Sequence, residues 1–268
     1  MNENPLYQPA FAAALEAGKA IMHIYNTAFE VDYKADSTPL TQADKAADEI
    51  ISRLLHTTGI PILTEEDDAN HPYTEYRSKW TQCWIVDPLD GTKEFVKRNG
   101  EFTVNIALCE NGTPVFGIVY APAKGLFYSA AKGEGAWFTH IADVHATPDF
   151  STAQRLPLQP LPDVFTIAGS RSHSSPETEQ YVNEQQRRFG RVDFLPSGSS
   201  LKFCLVAEGK AHAYPRFAPT SEWDTAAGHI VALESGAHVS TWPDGGELRY
   251  NRQNLINPHF LVTAAEID

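Results

Sequence analysis

The stretch Trp84-Ile85-Val86-Asp87-Pro88-Leu89-Asp90-Gly91-Thr92 sets two carboxylates three residues apart directly after an apolar run. Asp-Pro and Asp-Gly both favour turns, so in isolation the stretch reads as a turn. Its context argues for chemistry. A second acidic cluster, Glu65-Glu66-Asp67-Asp68, follows another short apolar run, Thr92 offers a hydroxyl beside the first pair, and Asp224 stands at the start of a helical pattern. Carboxylates gathered at the ends of adjacent strands repel one another unless a cation lies between them. Oxygen-only ligands suit hard divalent ions, and Mg2+ typically takes one or two carboxylates together with waters and substrate phosphate.

Rival sites fail on spacing. Counting back from Gly91 as the glycine of an EF-hand loop puts Val86 where the first acidic ligand belongs. The chain has no GxxxxGK[ST], no HExxH and no GxSxG, which leaves nucleoside triphosphatase, zincin and serine-hydrolase readings without their motifs. The ten histidines show no metal-ligand pairing, and the three cysteines, Cys83, Cys109 and Cys204, lie far apart in apolar runs, as buried reduced thiols do.

A chain of 268 residues with 42% hydrophobic content can bury a sizeable core, as one large or two modest domains. Its formal net charge of -13 repels nucleic acid and acidic membranes and favours a cation or small-molecule partner. No run reaches the roughly 20 apolar residues of a membrane span, and the N-terminal MNENPLYQPAF has no signal-peptide pattern, so the expected location is the cytoplasm.

The elements that must position the acidic groups follow from periodicity. Apolar residues recur at three and four from Phe11 to Tyr25 and again from Ala43 to Leu55, predicting two amphipathic helices. Thr41 with Asp44 three residues on forms a capping-box pattern before the second. Ile60 to Thr64 and Cys83 to Val86 predict short buried strands that deliver the chain into the acidic clusters. Residues 101–138 alternate β-rich runs with Asn-Gly and other glycine turns, an antiparallel meander. Proline-rich residues 141–162 are the expected connection, placing a boundary near 155 between an α+β metal-binding lobe (1–155) and an α/β substrate lobe (156–268). In the second lobe the pattern predicts a strand, a helix over 176–189, a strand, a helix opening at Gly198-Ser199-Ser200, and a helix containing Trp223 to Val231 that ends at Gly236.

Glu65-Glu66-Asp67, then DPLDGT at 87–92, then Trp223-Asp224-Thr225-Ala226-Ala227-Gly228 with Glu234-Ser235-Gly236 resemble the ordered motifs of the inositol monophosphatase superfamily of lithium-sensitive, Mg2+-dependent phosphatases. The likeness spans nearly the whole chain. Within that superfamily, DPLDGTKEFVKRNGEFTVNIAL, GSSLKFCLVAEGKA and YPRF followed by EWDTAAGH resemble the bacterial 3'(2'),5'-bisphosphate nucleotidases. The resemblance implies an α/β fold, the sugar-phosphatase-type αβαβα sandwich of two lobes.

It also implies a site. Glu65, Asp87 and the Leu89 carbonyl would hold one Mg2+, and Asp87, Asp90 and Asp224 a second, with two or three ions in all. Asp44 would stand near the nucleophilic water and Thr92 would help orient it, with Glu65, Asp44 and Thr92 as the catalytic set. As an alternative, Asp44 is simply the capping-box carboxylate of its helix. Ser170, Arg171, Ser172 and His173, then Gly198, Ser199, Lys202 and Arg216, resemble the segments that bracket a nucleotide and its second phosphate. Glu65, Leu89, Asp90, Gly91, Thr92 and Asp224 would line the shared phosphoryl site. Ordinary readings stand beside these, with Ser199 an N-cap, Lys202 a solvated helix lysine and Arg216 a loop cation. Lys34 matches a lysine of the family without a derived role.

A phosphomonoester dianion entering so acidic a site needs metal ions to invert the local field. Two ions about 3.5 to 4 Å apart activate water and neutralise the phosphoryl and leaving oxygens. The activity the resemblance implies is hydrolysis of 3'-phosphoadenosine 5'-phosphate to AMP and phosphate, a step that supports sulfate assimilation, by a monomer or homodimer in the cytoplasm or on the inner face of the plasma membrane. Alternatives are inositol monophosphatase or fructose-1,6-bisphosphatase activity, or a non-enzymatic divalent-cation-binding protein.

Overall fold

The computed structural model describes residues 3–27, 31–33, 39–66, 72–170 and 175–265. Helices α1 (Gln8–Tyr25) and α2 (Gln42–Leu55) lie on either side of a short antiparallel pair, β1 (Val31–Tyr33) and β2 (Pro39–Thr41). Ala10, Ala13, Ala14, Ala17 and Ile21 of α1, with Ala43, Ala47, Ile51 and Leu55 of α2, are fully buried, the three-and-four spacing that makes one apolar stripe per helix. Thr41 caps α2, and the reciprocal bonds of the capping box are present.

Next come β3 (Ile62–Thr64), β4 (Gln82–Asp90), the short helix α3 (Thr92–Val96), β5 (Thr103–Glu110), β6 (Thr113–Ala121), β7 (Leu126–Ala131), β8 (Gly135–His140) and β9 (Gln154–Arg155). They build a seven-stranded sheet in sequential order, with β3 parallel to β4 and the rest an antiparallel meander. Side chains alternate between its faces, as the two-residue strand period requires. Trp84, Val86, Ile106 and Phe116 pack with α1 and α2, whereas Cys83, Ile85, Ala107 and Cys109 pack on the opposite side.

The chain continues through β10 (Phe165–Gly169), α4 (Pro176–Phe189), β11 (Val192–Pro196), α5 (Leu201–Ala207), β12 (Ala213–Arg216), α6 (Ala226–Glu234), β13 (His238–Thr241) and β14 (Phe260–Thr263). The second sheet runs β11-β10-β12-β14-β13. Phe165, Ile167 and Ala213 face α4, while Ala168, Tyr214, Phe260 and Val262 join α5, α6 and the back of the first sheet in one core. The layers are therefore α1/α2, sheet, α5/α6, sheet and α4, the expected αβαβα sandwich. Helix α6 lies so close to β6 that a Cβ on Gly117 would meet Ile230 at 2.5 Å.

Three details differ from the sequence expectations. Strand β4 does not stop at Val86 but runs through both aspartates. Trp223 belongs to a 3-10 turn, Glu222–Asp224, that precedes α6. The C-terminal strands β13 and β14, four residues each, are too short for a period to show. The three cysteines are buried and free, with Cys83 and Cys109 paired in register across β4 and β5.

Candidate metal centre and substrate cleft

Residues three apart on a regular strand point to opposite faces. Asp87 pairs with Asn105 and Asp90 with Thr103, so β4 spends three residues where β5 spends two, a one-residue bulge. The bulge turns both carboxylates to the same side. Pro88 sits within it, where a missing backbone donor costs no ladder bond, and the Leu89 N–H donates to Asp87 Oδ1 at 3.0 Å. The feature that favoured a turn in the sequence is what aligns the pair.

Asp224 arrives from the second half of the chain. Its Oδ2 accepts the Ser221 N–H at 2.8 Å in a capping box that fixes the 3-10 turn. The Ser200 hydroxyl donates to the Asp224 carbonyl at 2.6 Å. Beside it the fully buried Glu222 accepts from the backbone N–H groups of Asn251 and Arg252 and from Arg252 Nε, which anchors the turn to the 249–252 segment. Asp87, Asp90 and Asp224 thereby bring ligand oxygens within 4.8 Å of one another.

Asp44 both closes the α2 capping box, accepting from the Thr41 N–H at 2.7 Å and the Thr41 hydroxyl at 2.6 Å, and accepts from the Thr92 hydroxyl at 3.2 Å on its other oxygen. The capping reading therefore holds, and the same carboxylate also touches Thr92. Thr92 Oγ1 also lies 3.4 Å from the Leu89 carbonyl. Glu65 follows β3 in a turn, its N–H donates to the Val86 carbonyl at 3.2 Å, and its charge adds to the repulsion that raises the pKa of Asp87. Asp67 and Asp68 lie outside the described residues, as do Lys34, Arg171, Ser172 and His173.

Asp90, Gly91, Ser170, Gly198, Ser199, Lys202, Arg216 and Asp224 line one cleft, together with Tyr214, which the sequence reading omitted. Two expectations need correction. Lys202 is not a solvated lysine: it is 6% exposed, donates to the Ser199 carbonyl at 2.5 Å and lies over the Tyr214 ring. The Gly198 N–H donates to Glu101 Oε2 at 2.9 Å. Ser199 is not an N-cap. Ser200 occupies that position, and Ser199 sits at φ 44° with its hydroxyl buried and, among the described residues, unpartnered. Arg216 Nη2 donates to the Pro219 carbonyl at 3.0 Å, while its Nε is buried without a partner among the described residues.

Ser200 and Asn105 escaped the sequence reading. The Ser200 N–H donates to Asp90 Oδ2 at 2.7 Å, and Asn105 Nδ2 donates to the Ser200 hydroxyl at 2.9 Å and reaches Asp90 Oδ2 at 3.3 Å. Ser200 was legible only as the second serine of GSS, and Asn105 as the one amide in an apolar strand.

Burial is the main force on these acids. It raises the pKa of Asp87 well above the carboxylate range, with Glu65, Asp90 and Asp224 adding repulsion, and it raises Asp90 and Asp44 too. Burial and then Asp90 push Asp224 up to about 7. Burial also brings Lys202 down to about 8, against the pull of Asp90. A divalent cation would relieve both the desolvation and the repulsion, and an all-oxygen donor set suits a hard ion. The residues present fit one.

A family model for the inositol monophosphatase family matches residues 2–266. The chain is 48% identical over 255 residues to the 3'(2'),5'-bisphosphate nucleotidase CysQ of Salmonella typhimurium, covering 93% of this chain and 96% of that protein. It is 46% identical over the same length and shares to the CysQ of Escherichia coli strain K12. Among solved structures it resembles CysQ from Bacteroides thetaiotaomicron, a bacterial member of that family, with TM-score 0.87, 46% identity and 97% of each chain covered.

Proposed function

The chain belongs to the inositol monophosphatase family, a metal-dependent family, and from that premise we propose that it is a Mg2+-dependent 3'(2'),5'-bisphosphate nucleotidase. Its substrate is 3'-phosphoadenosine 5'-phosphate, which it cleaves to AMP and phosphate in support of sulfate assimilation. One observation carries the reading: the cleft lined by Asp90 and Asp224 shares Ser170, Tyr214 and Arg216 with a neighbouring cavity of about 420 Å³. A substrate whose reacting phosphate lies at the carboxylates thus has room to extend past two cationic side chains. The second cavity adds Val182, Phe194 and Pro215 as apolar walls and Asn183 and Thr178 as polar groups, a lining suited to a nucleoside.

Glu65, Asp87 and the Leu89 carbonyl would hold one ion, and Asp87, Asp90 and Asp224 a second. When bound, the ions activate the attacking water and neutralise charge on the phosphoryl and leaving oxygens. The protein's own groups supply position and proton transfer. The Thr92 hydroxyl, donating to Asp44, keeps its lone pairs free to accept a proton from water, and Asp44 is the base to which that proton passes. Ser200 and Asn105 hold Asp90 Oδ2, which leaves its other oxygen for the metal. Gly91, at φ 91°, turns the chain so that Thr92 opens α3 beside the reacting phosphate. Ser199, Lys202 and Arg216 grip the nucleotide's other phosphate, with Ser170 at the same end of the cleft.

Phosphate release from a panel of phosphomonoesters, with Mg2+ and with added Li+ at fixed ionic strength, tests this reading. The adenosine bisphosphate should be hydrolysed with the highest kcat/KM, and millimolar Li+ should inhibit, because an ion of half the charge stabilises the leaving oxygen poorly. Equal rates on inositol phosphates would move the assignment to a sibling phosphatase. Tight divalent-cation binding without phosphate release would leave a cation-binding protein.

A further inference from the structure

Glu101 stands in the loop between α3 and β5, 6% exposed, and none of the steps above uses it. Its two carboxylate oxygens point to different parts of the chain. Oε2 accepts the Gly198 N–H at 2.9 Å and Oε1 accepts Lys124 Nζ at 3.1 Å. The contact is close: a Cβ on Gly198 would lie 2.7 Å from the Glu101 carbonyl oxygen. Two residues on, the Ser200 N–H donates to Asp90. The 198–200 turn is therefore strapped at both ends to acids of the first sheet's side, Glu101 at Gly198 and Asp90 at Ser200.

Ser199 lies between the straps in a left-handed conformation that a non-glycine residue rarely adopts, and its carbonyl accepts from Lys202. Its hydroxyl is buried at the cleft wall and, among the described residues, unpartnered. Such a conformation persists only where surrounding contacts over-determine it. A carboxylate so near an anion site would repel a phosphate, so its use there is orientation and not binding. Its charge is met by Lys124 and by the Gly198 N–H.

We propose that Glu101 is a positioning residue for substrate selection: it fixes the Gly198 end of the turn so that Ser199 and Lys202 meet the nucleotide's second phosphate. The proposal rests on the nucleotide reading above. The test compares kcat/KM for adenosine 3',5'-bisphosphate with kcat/KM for glycerol 2-phosphate, at saturating Mg2+, in wild type, Glu101→Ala and Glu101→Gln. The ratio should fall about tenfold in Glu101→Ala, the size of one hydrogen bond to a charged group, chiefly through KM for the bisphosphate. Glutamine keeps an oxygen for the Gly198 N–H and should restore most of the ratio. A general loss of structure would lower both substrates together. Should Glu101→Ala fail to fold, Lys124→Met, which removes the partner on the carboxylate's far side, must still lower the ratio measurably. An unchanged ratio in these variants, or equal losses on both substrates, overturns the positioning role and leaves the nucleotide reading intact. A wild-type enzyme without preference for the bisphosphate overturns both.

Discussion

The Ser200 backbone N–H donates to Asp90 Oδ2 at 2.7 Å, so the start of α5, which carries Lys202, is tied to a carboxylate at the end of β4. On the proposed reading, metal ligation and recognition of the substrate's far end share one residue. Asparagine at position 90 can still accept that N–H but is a poor ligand for a hard ion. Asp90→Asn should therefore fold, with a metal-free melting temperature at or above that of wild type because one repelling charge is gone. Its kcat should fall at least about a hundredfold. Steady-state kinetics and thermal melts check both, and near-normal turnover in the folded variant would remove Asp90 from the metal set.

Asp44 caps α2 and accepts from the Thr92 hydroxyl, and a substitution can separate capping from the proposed role as base. Asparagine retains an acceptor for the Thr41 N–H but cannot take up a proton. Asp44→Asn should cost about 1 kcal/mol of stability or less and about 10²- to 10⁴-fold in kcat. Melting and single-turnover measurements distinguish this from a purely capping role, in which both would change little.

The metal-free protein should lose stability as pH rises. Asp224 and Glu222 are each pushed up to about 7 by burial, and Asp44, Asp87 and Asp90 are raised for the same first reason. Between the ordinary carboxylate range and about pH 7, the folded state keeps protons that the unfolded chain has released, so stability is greatest below that window and falls as pH rises through it. Taking roughly 2 kcal/mol for the group and 2–4 °C per kcal/mol, the melting temperature in chelator should drop by about 5 °C or more from pH 5 to pH 8. Mg2+ should restore more stability at pH 8 than at pH 5. A flat or rising metal-free profile would contradict the cluster as described.

Arg216 borders both cavities, and its Nε is buried without a partner among the described residues. Arg216→Ala should raise KM for the adenosine bisphosphate about ten- to a hundredfold, one charge-assisted bond's worth. Hydrolysis of glycerol 2-phosphate should hardly change. Lys202→Met should affect both substrates, the bisphosphate more, because it also removes the cation that faces Asp90. Initial rates over a range of each substrate give the comparison.

The helices and the meander were legible because each buries one stripe or alternate residues, and Asp87, Asp90 and Asp224 were legible because the motifs that hold them resemble those of a known family. The bulge was not, since Asp-Pro-Leu-Asp-Gly signals a turn as strongly as a bent strand. Lys202 stood in a segment that the resemblance sets beside the substrate's second phosphate, but that its charge is turned inward shows only in its burial and in the Tyr214 ring it lies over. The bonds from Ser200, Asn105 and Glu101 join residues 15 to 110 positions apart, beyond what local spacing encodes.

The most direct test is the identity of the products when the purified protein meets adenosine 3',5'-bisphosphate and Mg2+, followed by phosphorus NMR. The account predicts one equivalent of inorganic phosphate and adenosine 5'-monophosphate, with no reaction in chelator. Adenosine 3'-monophosphate as the product, or turnover that persists without a divalent ion, would contradict it.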